Sequence, residues 1–323
     1  MSSRGVILDL GSIDPGDLDL SALDRVCNHW TRFDTTAAEQ TAARIAAADV
    51  VVSNKVVIGA AEMDAAPGLR LICIAATGSN NVDLEAARAR NIAVTNVTGY
   101  ATPAVVQHVL AIMLHWATGL WQQHQAVRSG DWCRSPHFCL LGPAYGARVR
   151  ELAGRRLGIV GFGELGQAVA RAAEAFGMQV RVADRPGAPH QAGRVPLQAL
   201  LPQVDVLSLH CPLTADTWHL IGARELALLS PESLLINTAR GGIVDEQALA
   251  DALRAGRPGA AAVDTLSVEP PPPDHPLLAA DIPNLLVTPH AAWSSQEARQ
   301  RLVDEIAANI TAFRHGEGRN RIG

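Results

Sequence analysis

The chain has 323 residues, 48% of them hydrophobic and only 4% aromatic, with a formal net charge of −5. That length supports two domains with cores of their own, and cores of Ala, Val, Leu and Ile suit parallel sheets covered by helices. A mildly acidic chain with no basic stripe argues against nucleic acid as the main partner.

The amino-terminal ten residues are strand-like, not a charged start followed by an apolar signal core. No apolar run approaches transmembrane length, so the expectation is a soluble, cytoplasmic protein with no membrane partner. Five cysteines (Cys27, Cys73, Cys133, Cys139, Cys211) form no C-x-x-C and have no metal-like spacing with histidine, so no metal is expected.

Apolar runs at residues 6–10, 49–52, 69–76 and 92–95 alternate with Ala-rich helical segments such as 36–48 and 84–90. This rhythm predicts an open α/β unit. It carries no glycine fingerprint and therefore reads as a substrate domain over residues 1–100, rejoined by 295–323. Two polar loops follow its strands, Ser53-Asn54-Lys55 and Thr77-Gly78-Ser79-Asn80-Asn81. Ligands of open α/β sheets lie beyond the carboxyl ends of strands, which makes Asn54, Thr77, Gly78 and Ser79 candidate substrate residues. The N–H groups of Gly78 and Ser79 could form a nest for a small carboxylate; ordinary turn chemistry explains the same residues equally well.

Residues 101–128 read as one long helix opening at Thr102-Pro103, the first of two crossings between domains. His108 and His115 fall on its apolar face and read as packed core histidines. Residues 129–151 then read as irregular, with Trp132, Cys133, Phe138, Cys139, Leu140 and Leu141 near Gly142-Pro143. So long an apolar loop is unusual inside a compact domain, and it either covers its own domain or reaches over a partner subunit.

The stretch 155–184 organises the second domain, assigned to residues 101–294. A short apolar strand runs into G-F-G-E-L-G at 161–166, then a helix with apolar spacing, a second strand and Asp184. Gly161 allows a tight turn, Gly163 lets the main chain approach a pyrophosphate, and Gly166 lets the helix pack close to the sheet. The free N–H groups and the dipole at the helix start favour a diphosphate. Asp184, 18 residues after Gly166, is placed to take both ribose hydroxyls of NAD. A carboxylate there repels the 2′-phosphate of NADP, although the neighbouring Arg185 is the kind of residue NADP sites use.

Further strands are predicted at 204–210, 233–238, 260–264 and 285–288, with helices at 245–255 and 296–314. Arg240, Glu269 and His290 each follow one of these strands, so the fold should bring them toward one crevice. Hydride transfer to a ketone leaves negative charge on oxygen, which calls for a proton donor and a cation. Histidine suits the proton, a carboxylate beside it favours the imidazolium, and arginine suits a bidentate hold on a 2-oxo carboxylate.

In these motifs the chain resembles the D-2-hydroxyacid dehydrogenase family over essentially its full length. The motifs that carry the likeness are A-T-G-S-N-N-V-D at 76–83, the glycine fingerprint, H-C-P-L-T at 210–214, N-T-A-R-G-G at 237–242, D-T-L-S-V-E-P at 264–270 and T-P-H-A-A-W at 288–293. The resemblance implies that His290 is the acid/base, that Glu269 pairs with it, and that Arg240 holds the substrate. It implies main-chain binding of the substrate carboxylate at Thr77-Gly78-Ser79. Trp293, three residues after His290, is by its position a candidate pocket wall. For the cofactor the resemblance points to Gly161, Phe162, Gly163, Glu164, Leu165, Gly166, Asp184, Arg185, His210, Cys211, Pro212, Thr238, Ala239 and Asp264. The implied fold is α/β, a Rossmann-type NAD-binding domain inserted into a flavodoxin-like substrate domain, as a homodimer whose cleft closes during turnover.

Within the family the chain is most similar to the glycerate dehydrogenase (hydroxypyruvate reductase) branch. That implies NAD(H)-dependent reduction of hydroxypyruvate or glyoxylate to D-glycerate or glycolate. Formate dehydrogenases of the family carry glutamine where Glu269 stands, and the phosphoglycerate branch often carries a further domain that does not fit after Gly323. The alternatives are a dehydrogenase of another 2-oxo acid or of phosphite, and an NADH-binding sensor of the corepressor kind.

Overall fold

The computed structural model describes residues 3–142 and 149–323, and within them the chain forms two compact units. The first comprises Met1–Pro103 and Trp293–Gly323, the second Ala104–Ala292. Pro143, singled out in the sequence, and residues 144–148 of the apolar insert lie outside the described residues.

The first unit is built on five parallel strands: β1 (Arg4–Ile7), β2 (His29–Arg32), β3 (Val50–Ser53), β4 (Leu71–Ile74) and β5 (Ala93–Thr95). Their order is β2-β1-β3-β4-β5, the flavodoxin-like doubly wound arrangement. Two of its three interior strands, V-V-V-S and L-I-C-I, are buried at every position, as expected of strands covered on both faces. Edge strand β2 carries only exposed or half-buried residues, so it shows no apolar run and escaped the sequence reading. The helix predicted at 36–48 is shorter, a 3-10 turn at Ala38–Gln40 followed by Thr41–Ile45. The carboxy-terminal helix Gln296–Arg314 is capped by Ser295, whose side chain accepts the Ala298 N–H. Its buried Asn309 donates to the Asn96 carbonyl at 3.0 Å, and its Arg299 forks onto Asp17 at 2.6 and 2.8 Å.

The second unit has six parallel strands: β6 (Arg156–Val160), β7 (Gln179–Val182), β8 (Val206–Leu209), β9 (Leu234–Asn237), β10 (Ala260–Val263) and β11 (Leu285–Val287). They run in the order β11-β10-β9-β8-β6-β7. Beyond β7 a single parallel bridge joins Ala183 to Val195, a remnant of the next strand of a Rossmann sheet. The order reverses between β6 and β8, and such a switch point is where open α/β sheets bind ligands.

The helix predicted over 101–128 is broken. Thr102–Thr118 and Leu120–Arg128 meet at Gly119, whose φ of 59° places it in the left-handed region, and the two helices bend by 53°. A glycine within an apolar-periodic run is tolerated by a helix or ends one; here it ends one. The insert begins with one further helical turn, Asp131–Arg134. Among the described residues no single helix is long and apolar enough to cross a membrane; those two helices reach that length and composition only as the bent pair.

Candidate active site

The glycine loop leaves β6 at the switch point. Gly161 has φ +91°, and a Cβ there would lie 2.5 Å from the Cys211 nitrogen and 2.6 Å from the His210 carbonyl carbon. The turn therefore presses against the His210-Cys211 peptide that follows β8. A Cβ on Gly166 would meet the Gly161 oxygen at 2.1 Å and Ile159 Cγ2 at 3.2 Å, whereas one on Gly163 would meet nothing within 4 Å. Two glycines thus serve backbone packing, and the third leaves open space at the start of the helix Glu164–Ala175. That helix buries Gly166, Val169, Ala170 and Ala173 on one face, and it begins at Glu164 and Leu165, directly after Phe162 and Gly163. Open space at a helix start fits a diphosphate.

Asp184 follows β7 as a held carboxylate. It accepts from the Gln191 N–H at 3.2 Å and pairs with His190 Nδ1 at 2.9 Å. The His190 hydrogen bond holds the carboxyl below its ordinary range. Arg185 beside it is exposed. His190 was not picked out from the sequence, because only the fold of the 185–194 loop brings it back to Asp184. Across the switch point His210 bonds Ser208 Oγ through Nε2 at 2.9 Å. Burial pushes its pKa down to about 4 and that of the Cys211 thiol up to about 11, so both are neutral; Pro212 follows and accepts from Thr217 Oγ1.

The loop after β9 is folded by Asn237, which accepts from the Ala239 N–H and donates to the Arg240 carbonyl at 2.8 Å. Arg240 is half-buried and donates to the Ala239 carbonyl at 2.6 Å. Thr238 Oγ1 is buried with no hydrogen-bond partner among the described residues. A buried polar atom left in that state costs free energy, so it fits a bound group that supplies the partner. With the open space at Gly163, this fits the strand ends to a dinucleotide.

The loops after β10 and β11 bring Glu269 and His290 together. His290 Nδ1 lies 2.7 Å from Glu269 Oε2, and Glu269 Oε1 accepts the Leu266 N–H at 2.8 Å. The carboxylate fixes the proton on Nδ1 and leaves Nε2 for other chemistry. His290 itself has φ 50°, a conformation of cost that proteins keep mainly at functional sites. It is held by its N–H, which donates to the Asp264 and Thr288 carbonyls. Asp264, only 1% exposed, clamps the same turn: it accepts from Thr288 Oγ1 at 2.5 Å and from the Ala291 and Ala292 N–H groups at 2.8 and 3.0 Å. Both its oxygens are thus engaged by the polypeptide.

His108 is not the packed core residue its helical face suggested. It is half-buried, with Nε2 3.4 Å from Thr288 Oγ1 and 3.8 Å from Asp264 Oδ1. His115 instead lines a groove of about 530 Å³ with Trp116 and Arg150, beside Leu234, Ala260 and Leu285. Those residues open their strands, so the groove lies at the end of the sheet opposite the glycine loop. Among the described residues no group of three or more His, Cys, Asp or Glu side chains could hold a metal ion.

In the first unit, Asn54 is buried, with its N–H on Asp9 Oδ1 at 2.9 Å and its side-chain amide on Ser12 Oγ at 3.0 Å. That amide is engaged within the sheet end. Thr77 Oγ1 donates to the Val97 carbonyl, and the Thr77 carbonyl accepts from Asn96. The N–H groups of Gly78 and Ser79 find no acceptor among the described residues. Trp293 packs edge-on against Tyr100, ring centroids 6.1 Å apart.

Residues 110–292 match the model of the D-isomer specific 2-hydroxyacid dehydrogenase NAD-binding domain. The chain is 39% identical over 322 residues to the glycerate dehydrogenase of Methylorubrum extorquens, covering 99% of both. It is 35% identical to the hydroxypyruvate reductase of Blautia hydrogenotrophica, over 96% of this chain and 97% of that one. Among solved structures it superposes with a TM-score of 0.81 on the NADPH-dependent glyoxylate/hydroxypyruvate reductase of Sinorhizobium meliloti, crystallised with NADP and malonate. That likeness has 28% identity and covers 100% of this chain and 97% of the other. The chain belongs to the D-isomer specific 2-hydroxyacid dehydrogenase family. It is an oxidoreductase whose second unit is the NAD-binding domain.

Proposed function

We propose that this chain reduces hydroxypyruvate, or glyoxylate, with NADH, giving D-glycerate or glycolate. The observation that carries the reading is the 2.7 Å pair of His290 Nδ1 and Glu269 Oε2 at the strand ends of an NAD-binding domain. The nicotinamide, when bound, supplies the hydride to the 2-oxo carbon. His290 donates the Nε2 proton to the oxygen, so the C=O π bond is replaced by C–H and O–H bonds. Glu269 stabilises the imidazolium before transfer and keeps Nε2 aimed. Arg240 holds the substrate carboxylate through its guanidinium fork and polarises the carbonyl. In the first unit, the N–H groups of Gly78 and Ser79 are assigned as carboxylate donors, with Thr77 fixing their loop and Trp293 kept as a candidate pocket wall. The buried Asn54 contributes by shaping its loop, since its amide is already bonded to Ser12.

NAD is the preferred cofactor in this reading, because the Asp184 carboxylate faces a ribose more favourably than a second phosphate. The names of the curated relatives, a glycerate dehydrogenase and a hydroxypyruvate reductase, support the substrate class. A homodimer is the proposed assembly. Phe138 and Leu141 of the insert are 91% and 79% exposed, and Leu120, Trp121 and Trp132 nearby in sequence are exposed too; a partner subunit gives such a surface a reason. Equilibrium sedimentation tests it, a monomer counting against it.

The experiment for the function is loss of reduced-nicotinamide absorbance with hydroxypyruvate, glyoxylate, pyruvate and 2-oxoglutarate, first with NADH and then NADPH. The expected outcome is the highest kcat/KM for hydroxypyruvate or glyoxylate with NADH. Turnover of another acid would overturn the substrate assignment, and NADH binding without any turnover would favour a sensor.

A further inference from the structure

The loop bearing Glu269 is fixed at its near end by groups that take no part in the reaction proposed above. Ser267, two residues before Glu269, donates its N–H to Glu246 Oε1 at 2.7 Å and its hydroxyl to Glu246 Oε2 at 2.5 Å. Glu246 opens the helix Glu246–Arg254, where the free N–H groups of the first turn favour a carboxylate. His275 supplies a third donor. Its Nδ1 accepts from the Leu277 N–H at 3.2 Å, which puts the proton on Nε2, 3.0 Å from Glu246 Oε2. The Glu246 and His275 side chains are only 11% and 5% exposed, so these donors stand in for the water the carboxylate has lost.

The same peptide touches the Arg240 loop. A Cβ on Gly241 would lie 2.0 Å from the Leu266 carbonyl carbon and 2.1 Å from the Ser267 nitrogen. Leu266 in turn donates its N–H to Glu269 Oε1. One short segment, Leu266-Ser267, therefore abuts the Arg240 loop, holds the carboxylate that pairs with His290, and is tied down by Glu246.

We propose that Glu246, oriented by His275, is a positioning residue: it locks Leu266-Ser267 so that Glu269 presents Oε2 to His290 in register with Arg240. The inference rests on the acid role given to His290 under the proposed function. Hydride transfer is sensitive to small misplacements of the groups around it, and an error of about 1 Å costs roughly a hundredfold in rate. Loosening this junction should therefore act on the chemical step more than on binding.

The test is steady-state kinetics of Glu246→Gln, Ser267→Ala and Ser267→Thr, with hydroxypyruvate and glyoxylate as substrates and NADH or its 4-deuterated form as cofactor. Glutamine keeps the shape of Glu246 but turns an NH2 toward a partner that is itself a donor. The expected result is a kcat lower by roughly tenfold to a hundredfold in Glu246→Gln, with the KM for the 2-oxo acid and the NADH dissociation constant little changed. The deuterium isotope effect on kcat should rise, because hydride transfer becomes the slow step. Ser267→Ala, which keeps the N–H bond, should show a smaller loss of the same kind, and Ser267→Thr should recover it by restoring a hydroxyl. These serine variants carry the test should Glu246→Gln not fold. Wild-type kcat and isotope effect in Ser267→Ala and in a folded Glu246→Gln would overturn the proposal, as would a loss of kcat matched by weakened NADH binding and a lowered Tm. His290→Ala in the same assay separates the two readings. If it retains turnover, the acid assignment fails; if it is inactive while the junction variants behave as wild type, only the positioning role fails.

Discussion

At the scale of single residues, the carboxylates of the proposed site are held rather than free. Asp184 is bonded by His190 and Gln191, Asp264 by the His290 turn, and Glu269 by Leu266 and His290. Asp184 is where cofactor choice can be tested. Its replacement by alanine removes the charge that opposes a 2′-phosphate and releases His190 beside Arg185. The ratio of kcat/KM for NADPH over NADH should then rise by at least about tenfold, since juxtaposed like charges cost several kcal/mol; an unchanged ratio would remove Asp184 from cofactor choice. Where the candidate side chains lie was legible where the reason is local: a histidine, a carboxylate and an arginine each follow a strand end. Their partners were not. His190, Ser267, Glu246 and His275 act through loops whose course no periodicity or turn residue specifies, and His108 leaves its expected core place because its ring reaches Thr288.

At the scale of elements, strands buried on both faces announced themselves as apolar runs, whereas β2, with no fully buried residue, did not. The fingerprint turn was legible because its glycines answer to stereochemistry within a few residues. The break at Gly119 was not, since the residues on both sides continue to favour a helix and only the left-handed φ of 59° divides them. Gly161 is where the turn can be tested. Alanine there would have to adopt φ +91° and place its Cβ 2.5 Å from the Cys211 nitrogen. Strain of that kind costs of order 1–3 kcal/mol, and relief requires the β6 and β8 loops to separate at the switch point. Gly161→Ala should therefore lower Tm and weaken NADH binding together. Normal NADH affinity, measured by quenching of protein fluorescence, would mean the turn does not shape the dinucleotide site.

At the scale of the whole molecule, two parallel sheets of different strand order come from one chain, and the sequence conveyed that class through its repeated strand-and-helix rhythm. Stability should carry a signature of the carboxyl end of β8. Burial holds the His210 imidazole neutral, its pKa moved from 6.5 to about 4. Between those two values the unfolded chain binds a proton that the folded chain refuses, so stability falls as pH drops through that window, by up to about 3 kcal/mol, and is unaffected above it. His210→Asn should flatten the acid side of the Tm profile; an identical profile would place the acid sensitivity elsewhere. The central claim is that His290, aimed by Glu269, delivers the proton that accompanies hydride transfer. Its most direct test is the turnover of hydroxypyruvate and glyoxylate by His290→Ala, with NADH binding measured on the same preparation. Loss of a general acid should lower kcat by roughly a hundredfold to ten-thousandfold while NADH still binds as in the wild type; turnover at the wild-type rate would contradict the assignment.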